Sequence, residues 1–565
     1  TKTYTGRYTY NTGNGTMSTA DFGTGRTATF AYDNLQRLTS ETMAGLYTKS
    51  YTYRDISSTR TTTQIASESY TGLCSGWLNR SASYTYDAMG NIATITGPYK
   101  NKNSVQRTYT YDAQNQLLSE KIGSDTTSYT YDTAGNIRSI TGPSVSKTFS
   151  YNDSGDWKDL LTSVTVNGTT RSITYEEENG VTIGNPLSYF NGTQYTLAWQ
   201  NGRQLQSLSG GGKSATYTYG ADGIRTSKTV TDSSGTTTYQ YTTQNGQIAR
   251  QSWSAGGTAY QMDFIYDAAG RPLAMYYRTK TASQTDFSGD SYYYETNQQG
   301  DVTGLYKITY DAANKALSAT RVASYEYDAW GNVTYSTGTM AKINPLKYRG
   351  YYHDTESGFY YLQSRYYDPA ICRFINADRY TDTGEKLVGY NMFVYCNNNS
   401  IVYTDFSGER AMGPSFYLVN DGGTPRINPF TSYSGGDIYV VKQQKWSSTK
   451  YQIQSQLLSG DVLIVDCRAN TDNPNIQIVD SYKLVYLHVH EEVVDALLQY
   501  VKENPDNSGW DRERQDMLYE WNYHNMAYSL GFGKERAQSV DLDKADENKP
   551  AVIKFIEIII EKVRR

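Results

Sequence analysis

Three of the four histidines in this 565-residue chain fall in its last quarter, at His488, His490 and His524. His488 and His490 are two apart in the run KLVYLHVH, so a strand there presents both on one face. Glu520 stands one helical turn before His524 in DRERQDMLYEWNYHNMAYSL. Imidazoles beside a carboxylate are the groups of an acid/base cluster or a metal site, so a hydrolytic tail of nuclease type is one expectation. The plainer alternative is packing, because His524 also lies on the stripe Met517, Trp521, Tyr528. H-E-x-x-H is absent, and His490-Glu491-Glu492 supplies only the H-x-E half of a deaminase signature. VDLDKADE (Val540–Glu547) lacks the glycine of a calcium loop and reads as a solvated acidic turn. No metal or cofactor is expected.

A second concentration of chemical groups is YYLQSRYYDPAICRFINAD, from Tyr360 to Asp378, which has neither a helical nor a simple strand period. Arg365 and Arg373 flank Asp368, and buried ion pairs among the three are expected to fix this segment. Cys74, Cys372, Cys396 and Cys467 lie far apart without a C-x-x-C pair, which excludes a zinc ribbon and a disulfide framework and leaves buried thiols.

The elements that must position these groups follow from composition. The chain carries 56 Tyr against 14 Phe, and Tyr and Thr suit a half-buried pleated sheet. Net charge is -5, so no general attraction to nucleic acid or anionic membrane is expected. Residues 410–565 hold 18 Lys and Arg against 22 Asp and Glu, which weighs against a phosphate-engaging surface. A repeat dominates the rest: YTYDAMGNIATITG at Tyr84, YTYDAQNQLLSEKIG at Tyr109, YTYDTAGNIRSITG at Tyr129, FIYDAAGRPLA at Phe264 and YEYDAWGNVTY at Tyr325. Aromatics two apart share one strand face, Asp bonds the backbone amides ahead of it, and Gly three on takes the left-handed geometry of the turn. Each unit is therefore a hairpin of about twenty residues, unstable alone and stabilised by stacking into one long sheet.

This Y-D-x-x-G unit resembles the YD repeat of Rhs proteins, toxin-complex C components and teneurins. NPLKYRGYYHDTESGFYYLQSRYYDPAICRFINADRYTDTG, from Asn344 to Gly384, is similar to the Rhs-associated core that follows such repeats. The resemblance implies a mainly β fold, a spiralling hairpin shell over 1–343 closed by a core or plug over 344–409. A Gly/Pro/Ser-rich joint over 410–436 and a small α+β domain over 437–565 complete the expected order. It also implies an aspartic autoprotease with Asp378 and Asp405 as the carboxylate pair and a cut after Glu409. Arg379 and Phe406 stand where the family usually has proline. The partners implied are the chain's own C-terminal domain as enclosed cargo and an immunity protein. A secreted or surface location is implied as well, and the chain, opening inside a repeat, reads as a fragment. An adhesin using tyrosine rows to bind cell-surface glycans is the competing expectation.

Overall fold

The computed structural model describes residues 6–408 except 12–14, 58–59, 101, 156, 245 and 380–386, together with six short strands beyond Gly408. The described residues form β-strands and short 3-10 turns, with no α-helix among them. Fifteen strands, from Arg7–Tyr10 to Thr169–Ser172, make one sheet, and fourteen, from Thr174–Glu178 to Val333–Thr337, make a second. In both sheets every strand pairs antiparallel with its neighbour in sequence. The expected hairpin shell is what forms.

The repeat dictates this locally. In the unit at Tyr84, Asp87 Oδ1 accepts the amides of Met89 and Asn91, each at 2.9 Å, while Gly90 takes φ +86°. The first tyrosine of the unit turns into the core: Tyr84, Tyr109 and Tyr129 are all buried. The second reaches back with its hydroxyl to a main-chain carbonyl of an earlier strand. Tyr86 donates to Ile65 O, Tyr111 to Ile92 O and Tyr131 to Leu117 O, at 2.7–2.8 Å. That bond explains why the repeat uses Tyr where Phe would fill the same volume. The residue between the two rings is exposed, and its hydroxyl pairs across the hairpin, as in Thr85–Thr94 and Thr110–Ser119.

The two sheets meet along a seam of strand ends. Ala319 N donates to Ser75 O at 2.8 Å, Trp77 stacks on Tyr306 at 4.1 Å, and Arg80 pairs with Glu295 at 2.5 Å. Gly76 has φ +84°, and a Cβ there would lie 2.0 Å from Ala319 O, so only glycine lets the backbones approach.

Four short antiparallel strands, Tyr352–His353, Tyr360–Leu362, Arg365–Asp368 and Arg373–Phe374, form the plug. Plug residues such as Tyr360, Tyr367 and Phe374 share one hydrophobic cluster with shell residues such as Tyr129, Leu208 and Met275. Beyond Gly408, Val462–Asp466 pairs in parallel with Val419–Asn420, Ile438–Tyr439 and Leu484–His488. The helical runs expected in the tail lie outside the described residues.

Candidate active site

The plug is held over the shell by the turns of the repeats themselves. In each turn Asp also binds the side chain of the residue four on, which fixes that side chain as a docking group: Asp87 with Asn91, Asp112 with Gln116, Asp132 with Asn136. Asn399 then donates to Asn91 Oδ1 at 2.9 Å, Asn398 to Gln116 Oε1 at 2.8 Å, and Asn391 to Asn136 Oδ1 at 2.7 Å. Sequence reasoning misses this fifth turn residue, although its signal is present as the recurrent Asn of Y-D-x-x-G-N. Cys396, Asn397 and Asn398 all have positive φ, a run that turns Asn398 and Asn399 toward the shell.

This docking brings Asp405 back to the strand that carries Arg365. The Arg365 guanidinium lies 3.6 Å over the Phe374 ring, and its Nη2 is 2.7 Å from Asp378 Oδ2 and 3.6 Å from Asp405 Oδ2. Nη1 donates to Met392 O at 3.1 Å, and Nε donates to Gly408 O. Asp405 Oδ1 accepts the Gly408 amide at 2.8 Å, and the Asp405 amide donates to the Tyr351 hydroxyl at 2.7 Å. Ser364 holds Ser407 O through both its amide and its hydroxyl. The Asp405 side chain is 2% exposed and that of Asp378 is 10% exposed, so the pair is sequestered but Asp378 keeps an edge toward solvent. Burial first, and then the Asp405 carboxylate, push the Cys396 thiol well up, so the sulfur beside the pair stays protonated.

Arg365 thus draws two carboxylates, Asp378 and Asp405, onto one guanidinium. Such a pair can take a proton from water with one member and give one to an amide nitrogen with the other. The main chain at Ser407 and Gly408 is fixed against it. Glu409, after which the expected cut falls, lies outside the described residues.

The expected ion pairs of Asp368 are corrected by the fold. On the strand Arg365–Asp368, residues three apart point to opposite faces, so Arg365 faces Asp378 and Asp405 instead. Asp368 accepts from Tyr189, Asn191 and the Ala370 amide, and burial raises its pKa. Arg373 sits over Phe393 at 4.6 Å and donates to Asp159 O at 3.0 Å. Of the tail residues, His488 ends a strand whose side chains are not described, and His490, Glu520 and His524 lie outside the described residues.

A fully buried network that the sequence does not announce anchors the other end of the plug. Arg225 binds Asp354 with both guanidinium arms at 2.6 and 3.1 Å, and Lys228 bridges Asp354 and Glu356 at 2.8 and 2.9 Å. The rings of Tyr217, Tyr241, Tyr352, Tyr361 and Tyr366 surround the Arg225 guanidinium at 4.2–6.0 Å. Burial opposes ionisation of Asp354, but Arg225 and Lys228 outweigh it and hold the carboxyl below its usual range.

No family model matches the chain. Among curated proteins it is 29% identical over 219 residues to the tRNA3(Ser)-specific nuclease WapA of Bacillus spizizenii, a match covering 38% of this chain and 8% of that protein. It is 32% identical over 130 residues to the double-stranded DNA deaminase toxin A of Burkholderia cenocepacia, covering 19% of this chain and 9% of the relative. The chain thus spans less than a tenth of the length of these relatives. Among solved structures, the Tc holotoxin pore of Photorhabdus luminescens superposes on 71% of this chain with a TM-score of 0.53 at 17% identity, covering 20% of that chain. The likeness is one of fold, a β-shell. With the repeat, the plug and these relatives together, the chain is an Rhs-type YD-repeat protein.

Proposed function

We propose that this chain is the shell-and-plug portion of an Rhs-type toxin, delivered outside the producing cell, which encloses its own segment 410–565 as an effector. Asp378 and Asp405 release that segment by cutting the main chain after Glu409. One carboxylate deprotonates the attacking water, the other protonates the leaving amide nitrogen, and Arg365 holds both together with the Gly408 carbonyl. The observation that carries the reading is the convergence of two carboxylates, Asp405 buried and Asp378 half-buried, on one guanidinium that also binds Gly408, the residue before Glu409. The names of two relatives, a tRNA nuclease and a DNA deaminase toxin, support a toxin-like role for the whole protein. The glycan adhesin is less favoured, because Tyr84, Tyr109 and Tyr129 turn into the core.

The test is the mass of the purified chain. Wild type is expected to yield two fragments divided after Glu409, and Asp378→Asn a single intact chain. A wild-type chain that stays whole, or an Asp378→Asn chain that still divides there, removes the autoprotease.

A further inference from the structure

The plug also buries a lysine that meets no carboxylate among the described residues. Lys347 is 6% exposed and forms no ion pair among the described residues. Its ammonium lies 3.3 Å from His353 Nδ1 and 5.8 Å from the centre of the Tyr325 ring. The His353 ring in turn meets Tyr360 edge-on at 5.0 Å. Asp354, next in sequence, is committed to Arg225 and Lys228. Burial drives Lys347 down to about 8, and burial together with Lys347 drives His353 down to about 3. His353 is therefore neutral, and its Nδ1 accepts a proton of the Lys347 amine.

Both groups line a cavity of about 610 Å³, within the usual range of small-molecule sites, roughly 300–1,000 Å³. The exposed residues Lys342 and Thr355 mark its open side, and Thr193 and Ser336 add hydroxyls to the wall. Asp368 is the one carboxylate on the lining, and it is already engaged by Tyr189, Asn191 and the Ala370 amide. A buried amine without a counter-ion, open to a polar cavity, lacks one thing, an anion. A single buried amine beside a neutral imidazole, with Lys342 exposed at the mouth, suits a monoanion such as a carboxylate better than a phosphate dianion, which is matched by guanidinium forks or several amides. The hydroxyl-bearing wall suits a ligand that carries hydroxyls of its own.

We propose that this cavity is a binding site for a sugar acid, with the carboxylate of a uronic acid on Lys347 and its hydroxyls on Thr193, Ser336 and Thr355. Binding pairs the Lys347 ammonium and holds it in its protonated form. The same chemistry is presented by a free uronate and by a uronate unit of a polysaccharide.

The experiment treats the full chain with acetic anhydride and maps acylated lysines by mass spectrometry, with no addition, with galacturonate, with a galacturonate trimer and with galactose. Galacturonate is expected to lower acylation of Lys347 about tenfold relative to Lys342, and galactose to leave it unchanged. Protection by the trimer at lower concentration than the monomer assigns the polysaccharide as the source, and protection by the monomer alone assigns the free acid. Equal acylation of Lys347 with and without both acids overturns the proposal, as does equal protection by galactose. In calorimetry, Lys347→Arg is expected to keep galacturonate binding and Lys347→Met to lose it; wild-type binding by Lys347→Met also overturns the site.

Discussion

Two charge clusters hold the plug, and they differ in what they enclose. At one end, Arg225 and Lys228 face Asp354 and Glu356, two cations for two anions, with side chains at most 4% exposed. At the other, Arg365 faces both Asp378 and Asp405. A balanced network is satisfied in one protonation state and serves to fix geometry. The second cluster gathers two carboxylates on a guanidinium that also holds the Gly408 carbonyl, and Asp378 keeps an edge toward solvent, which is why it, and not the first, is the candidate site. The first cluster is sealed on every side, whereas Asp378 leaves the second an edge toward solvent.

The largest effect that separates them is on self-cleavage. Asp378→Asn and Asp405→Asn are each expected to abolish the fragment ending at Glu409, while Glu356→Gln leaves it in place, as read by intact mass. Loss of cleavage in Glu356→Gln as well would erase the distinction. On stability the order reverses. Asp354→Ala strands Arg225 and Lys228 and is expected to cost about 3–5 kcal/mol in denaturant unfolding. Asp378→Asn keeps the side-chain shape and leaves Arg365 with Asp405, so on uncleaved chain it is expected to cost no more than about 1 kcal/mol. A destabilisation as large as that of Asp354→Ala would make both clusters scaffolds.

A third pair of carboxylates sharpens the comparison through pH. Glu120 is buried at the seam, accepts the Ala329 amide at 3.0 Å, and is pushed up to about 8 by burial and then by Asp328. Its folded value exceeds its unfolded one, so its contribution is complete below about 4.3 and is lost as pH rises through about 8. Glu120→Gln is expected to flatten the fall in melting temperature across that window, and an unchanged profile would assign the fall to other groups. Asp354 has the opposite sign. Its depressed value stabilises above the ordinary Asp range and is lost as pH falls through the folded value. The smallest effect belongs to docking: Asn399→Ala removes the bond to Asn91 and is expected to cost about 1 kcal/mol, measured by the same unfolding experiment.

Much of the shell is legible in the residues themselves. Y-x-Y-D-x-x-G carries a strand period, an Asx turn and a left-handed glycine in seven residues, so the hairpins and their order are local facts. Asp378 and Asp405 stand out only because the core motif resembles a family, since nothing in their spacing of twenty-seven residues announces contact. Proximity in sequence makes Arg365 a partner of Asp368, and strand parity shows why that pairing fails.

The sequence alone determined the repeating hairpin, because turn geometry and side-chain alternation act over a few residues. Tertiary structure decided which charges meet. Arg225 and Asp354 are 129 residues apart, Arg365 contacts both Asp378 and Asp405, and Lys347 meets no carboxylate among the described residues, because a long spiral sheet brings distant strand ends and plug loops together. In a low-dielectric interior the energy of a charge depends on those neighbours, and no local pattern encodes them.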